Sequence, residues 1–93
     1  MKDFYGELKK QHNNLVDIYK FIFATHLKQL RTEKELSQKE IAKLIGCAVS
    51  TYANWEQGRR EPSIYDIYRL MQILKVDANE LFDIDNIDYK YAP

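Results

Sequence analysis

Ser37-Gln38-Lys39-Glu40-Ile41-Ala42-Lys43-Leu44-Ile45-Gly46-Cys47-Ala48-Val49-Ser50-Thr51-Tyr52-Ala53-Asn54-Trp55-Glu56-Gln57 is the stretch whose reading decides the fold. Ser37 followed three positions later by Glu40 opens a helix, because the hydroxyl satisfies an exposed backbone amide and the acid complements the positive helix end. Ile41, Ala42, Leu44 and Ile45 are expected to face inward, and Gly46 ends the helix in a backbone conformation that glycine tolerates best. After a tight turn a further helix runs from Val49 to about Gln57, buried through Tyr52 and Trp55 at i, i+3 spacing, and stops at Gly58. Ala42 is small where the two helices must approach closely. Ile41, Ile45, Cys47, Tyr52 and Trp55 fill the angle between them.

Working outward, the same start signal recurs three times. Asn14-Leu15-Val16-Asp17 opens a long amphipathic helix to about Lys34, with Leu15, Ile18, Tyr19, Ile22, Phe23, Leu27 and Leu30 at helical spacing. Ser63-Ile64-Tyr65-Asp66 opens another through Leu74, after a loop in which Pro62 prevents continuation of the preceding helix. Asp77-Ala78-Asn79-Glu80 opens a last turn ending near Phe82. Asp3 to Gln11 reads as a short helix carrying Phe4 and Leu8 inward, and beyond Asp83 acidic residues alternate with Ile84, Ile87, Tyr89 and Tyr91 as an arm that docks on something. With three glycines, two prolines and no alternating β-branched run, strands are not expected. The chain divides into an N-terminal helical extension over 1–26, continuous with the first helix, a helical domain over 27–82 and a short tail over 83–93.

Bulk properties narrow the function classes. Ninety-three residues, 45% hydrophobic and 30% charged, suit one compact domain. Fourteen basic side chains balance fourteen acidic ones, so any affinity for a polyanion must come from local placement of charge. The single cysteine, Cys47, excludes an intramolecular disulfide framework and a cysteine-rich zinc site, and points to a reducing compartment. It occupies a packing position, with no basic neighbour in sequence to lower its pKa. Met1 to Tyr5 lacks an apolar signal core, and Ile18 to Leu27 is too short and too interrupted to span a bilayer, which makes the cytoplasm the expected location. His12 and His26 have no metal-ligand spacing, so no metal is expected. No nucleophile, base and orienting acid fall in a catalytic pattern and no glycine-rich phosphate loop exists. We therefore expect no enzyme, no cofactor and no small-molecule ligand.

Two short helices joined by a three-to-four-residue turn containing glycine let one helix lie across a DNA backbone while the next enters the major groove. The chain resembles the Cro/repressor-type (XRE-like) helix-turn-helix family over about Leu27 to Phe82. The matching text is Leu30-Arg31, Leu36-Ser37-Gln38-Lys39-Glu40-Ile41-Ala42, Gly46, Ser50-Thr51-Tyr52, Trp55-Glu56-Gln57-Gly58-Arg59-Arg60-Glu61-Pro62-Ser63 and Leu74-Lys75-Val76-Asp77. The resemblance implies an all-α, five-helix lambda-repressor-like domain that reads operator DNA as a small transcriptional regulator of the repressor kind, commonly as a homodimer.

Carried over by position, Val49, Ser50, Ala53 and Asn54 fall where family members touch base edges. Asn54 suits a bidentate contact to adenine, and Val49 or Ala53 a thymine methyl. Gln38, Lys39, Thr51, Gln57, Arg59 and Arg60 fall where phosphates are held. Arg31 and Glu56 match a structural ion pair that bridges the first and third helices. Two departures stand out. Ala48 replaces the usual capping residue, so the third helix is expected to start slightly later with Ser50 helping, or to fray without DNA. The recognition face is small and uncharged, which favours readout partly through DNA shape. A competing reading is a protein-interaction module, an antitoxin or adaptor that uses the helix-turn-helix as scaffold. Asp3 to Phe23 and Ile84 to Tyr91 are the two expected dimer surfaces, with helix packing at the N-terminal end preferred.

Overall fold

The computed structural model describes residues 15–84, and among them every regular element is an α-helix. In order these are α1 (Leu15–Glu33), α2 (Gln38–Ile45), α3 (Val49–Glu56), α4 (Ile64–Leu74) and α5 (Ala78–Phe82). The expected Asn14 cap, the short helix over Asp3 to Gln11 and the arm residues Ile87, Tyr89 and Tyr91 lie outside the described residues.

Local chemistry starts and stops most of these helices where the sequence indicates. Ser37 and Ser63 each head a reciprocal capping box, with Glu40 and Asp66 respectively, and the Asp77 carboxylate accepts the Glu80 amide. Gly46 closes α2 in the left-handed conformation at φ 90, its amide donating to the Ala42 carbonyl. Three other reversals use non-glycine residues in that conformation: Glu35 after α1, Lys75 after α4 and Asp83 after α5. Helix α3 begins at Val49 although Ala48 supplies no side-chain cap, which corrects the expected later start at Ser50. Burial of Tyr52 and Trp55 outweighs a missing cap worth about 1 kcal/mol.

The core gathers Leu27 and Leu30 from α1, Ile41, Ala42 and Ile45 from α2, Tyr52 and Trp55 from α3, Leu70 and Leu74 from α4, then Val76 and Leu81. Each large aliphatic side chain fully withdrawn from water stabilises the fold by about 1.5–3 kcal/mol. Tyr52 and Trp55 meet edge to face, ring centroids 5.7 Å apart. Leu44 is not among the core residues. It is 51% exposed, contrary to the inward position expected of it, because Ile41, Ala42 and Ile45 already centre the buried stripe of α2 and leave Leu44 on its flank. Cys47 is half-buried against the same core.

Two long-range contacts fix the periphery. Phe23 of α1 stacks obliquely on Phe82 of α5 at 5.5 Å, and the His26 ring meets the Glu80 carbonyl at 2.5 Å, so α5 is clamped along α1. The loop after α3 passes close to α1: a Cβ on Gly58 would lie 3.9 Å from the buried Ala24 methyl, and Gly58 itself has φ +73.

Candidate nucleic-acid interface

The geometry of the helix pair rests on one carboxylate. Glu56, whose side chain is only 2% exposed, receives Arg31 Nε at 2.5 Å on one oxygen and Arg31 Nη2 at 3.0 Å on the other. Arg31 Nη1 donates to the Leu36 carbonyl at 2.7 Å, which ties the end of α1 to the turn before α2. Gln38 Nε2, at the first position of α2, donates to Glu56 Oε1 at 3.0 Å. Two helices and the turn between them are therefore tied to α3, through charge-assisted bonds whose fork geometry fixes orientation as well as distance.

Burial alone would raise the Glu56 pKa, but the hydrogen bonds from Arg31 and Gln38, the nearby Tyr52 hydroxyl and the Arg31 charge outweigh it and hold the carboxyl below its ordinary value. The Arg31 pKa is raised, chiefly by its bond to Glu56. The Tyr52 hydroxyl is buried against the same pair without an ordinary hydrogen-bond partner, and burial followed by the Glu56 carboxylate pushes its pKa far up. The site is thus a fixed anion and cation with a neutral phenol beside them.

With Tyr52, Trp55 and Glu56 turned inward, the other side of α3 faces out. Val49 is 42% exposed and Ser50 is exposed, while Thr51, Ala53 and Asn54 are half-buried. Val49, Ser50, Ala53 and Asn54 follow one another at the i, i+1, i+4, i+5 spacing of a single helix face, and Gln57 extends it as the C-terminal cap. Beyond it the amides of Arg59 and Arg60 both fold back on the Asn54 carbonyl, at 3.0 and 3.4 Å, which holds the two exposed guanidinium-bearing residues beside the end of α3. Lys39 is exposed on the first turn of α2, next to half-buried Gln38. The arrangement presents a short, uncharged helix face of small residues flanked by basic residues at both sides, a form suited to a groove bordered by phosphates.

Two contributors carry no sequence signal. Arg69 of α4 donates Nη2 to the Leu44 carbonyl at 3.0 Å and Nη1 to Gln72 at 3.0 Å, so α4 braces the C-terminal end of α2. Its partner is a backbone oxygen, which no residue pattern marks. His26 likewise finds its carbonyl partner 54 positions away. Among the described residues no group of histidine, cysteine and carboxylate side chains is placed to hold a metal, and no helix is long and apolar enough to cross a membrane.

Comparison with known proteins agrees with this geometry. The helix-turn-helix family matches residues 27–81. The cryptic phage CTXphi transcriptional repressor RstR of Vibrio cholerae is 32% identical over 71 residues, an alignment that covers 74% of this chain and 64% of that protein. The SPbeta prophage-derived HTH-type transcriptional regulator YonR of Bacillus subtilis is 33% identical over 73 residues, covering 71% of this chain and 68% of that protein. Among solved structures, the restriction-modification controller protein C.AhdI from Aeromonas hydrophila superposes with a TM-score of 0.63 at 35% identity, covering 67% of this chain and 94% of that one.

Proposed function

We propose that this chain, which belongs to the helix-turn-helix family, binds double-stranded DNA with α3 in the major groove and acts in the cytoplasm as a small transcriptional regulator of the repressor kind. The observation that carries the reading is the convergence of Arg31 and Gln38 on Glu56, which fixes α3 with Val49, Ser50, Ala53 and Asn54 outward. Those four side chains meet base edges, Asn54 pairing with adenine. Gln38, Lys39, Thr51, Gln57, Arg59 and Arg60 meet phosphates. The repressor named among its relatives supports the regulatory role. A single helix of eight residues reads few base pairs, so the chain works as a homodimer on half-sites about 34 Å apart.

The test is an anisotropy titration against genomic fragments at two salt concentrations. Binding should weaken with salt, and Arg59→Ala and Arg60→Ala, each removing one phosphate contact per copy, should each reduce the slope of log K against log salt by about 1.8 for the dimer. Asn54→Ala should lose about 1–3 kcal/mol of discrimination at one adenine. Salt-independent silence on every fragment overturns the reading and leaves the protein-interaction module in its place.

A further inference from the structure

The most exposed large apolar side chains among the described residues are not at the ends of the chain but on α4: Ile64 is 77% exposed, Tyr65 66% and Tyr68 61%. They stand at i, i+1 and i+4, one outward stripe opposite buried Leu70 and Leu74, where a surface helix ordinarily carries charged or small polar residues. Leu44, 51% exposed, adjoins this helix because Arg69 of α4 is bonded to its carbonyl. An exposed apolar patch of this kind is often a functional contact surface.

We propose that this stripe of α4 is the surface through which two copies of the chain pair, antiparallel about a two-fold axis passing near Tyr68; the proposal rests on the dimeric DNA-binding reading above. Three features select a second copy as the occupant. At roughly 200 Å² per large side chain, the open parts of Ile64, Tyr65, Tyr68 and Leu44 amount to about 500 Å² per copy, so a pair that covers them fully would bury about 1,000 Å², the lower bound of a specific interface. An antiparallel pairing opposes the two helix dipoles, and it brings the Glu61 end of one α4, where Glu61 pairs with Lys20 at 3.5 Å and stays 62% exposed, to the exposed Lys75 end of the other. The patch is self-complementary, as a two-fold interface requires: Tyr68 meets Tyr68, and Ile64 and Tyr65 of one copy meet the C-terminal half of the other helix. The small area makes the dimer weak in solution and favours its assembly on paired half-sites.

Sedimentation equilibrium of the full chain tests this. The wild type should show a concentration-dependent monomer–dimer equilibrium. Tyr68→Arg, which sets like charges face to face on the axis, should sediment as monomer at the same concentrations while keeping the wild-type helical circular dichroism. Ile64→Glu, at an exposed first helical turn, provides a second disruption. A wild type that is monomeric throughout, or a dimer that survives both substitutions, overturns the proposal and returns the interface to the chain ends. DNA binding gives a separate readout. Tyr68→Arg should bind an isolated half-site within about twofold of wild type and paired half-sites at least about tenfold more weakly. Equal loss on both substrates would mean that α4 touches DNA itself, and overturns the pairing. Dimerisation abolished by Tyr68→Arg in a protein that binds no DNA would uphold the interface and remove the DNA reading alone.

Discussion

Gln38 and Arg31 share one oxygen of Glu56: Gln38 Nε2 and Arg31 Nη2 each lie 3.0 Å from Glu56 Oε1. The first residue of α2 and the last turn of α1 are thereby held to the same atom of α3. Displacing α3 breaks bonds to both helices, so the angle between α2 and α3 is set by a hydrogen-bonded junction as well as by apolar packing.

Removal of one member of that junction leaves the other charge buried. Glu56→Gln should lower folding stability by about 3 kcal/mol, measured as a shift in the urea midpoint at constant slope. The double substitution Arg31→Met with Glu56→Leu should recover a large part of that loss, because no unpaired charge remains. A double variant as unstable as the single one would show that the bonds to Leu36 and Gln38 dominate.

The pH dependence follows from the direction of the Glu56 shift. Its folded pKa is below the unfolded value, so its contribution is complete above the ordinary carboxylate range and disappears as pH falls through the folded pKa. Glu40, lowered by its bonds to Ser37, acts with the same sign. Urea midpoints measured from neutral pH downward should fall more gently in Glu56→Gln than in the wild type.

Ala48 occupies the extended N-cap position of α3 at φ −68 and ψ 148 without capping it. Ala48→Ser should add about 1 kcal/mol, and the thermal midpoint should rise by about 4–8 °C. An unchanged midpoint would mean that the first amides of α3 already have other partners.

Gly58 is constrained by its backbone rather than by space. Gly58→Ala should cost about 1–2 kcal/mol at φ +73, since the added methyl meets Ala24 and the α1 backbone only at ordinary contact distances. Thermal unfolding checks the magnitude.

What the sequence revealed divides along the range of the interactions. Ser37, Ser63 and Asp77 announce helices because a cap and its partner lie three residues apart, and Gly46 announces a turn through its own backbone freedom. Tyr52 and Trp55 were legible as core from their spacing. Periodicity could not separate a buried stripe from an exposed one, which is why Leu44 was expected inside and why the open face of α4 gave no sign of itself. Arg69 and His26 were invisible for another reason: each meets a backbone carbonyl brought near only by the fold. The outward positions of α3 could be read by resemblance, but the bond from Gln38 to Glu56 emerges only with the helices in place.

The chain reversals at Glu35, Lys75 and Asp83 place ordinary side chains in left-handed backbone at φ 58, 57 and 53. Each holds back about 1 kcal/mol that a better-suited residue would release. Asparagine tolerates this conformation without the extra chain entropy that glycine brings to the unfolded state. None of the three belongs to α3, so they form a reserve of thermostability outside the helix offered to DNA, with Asp83 also set 4.0 Å from His26.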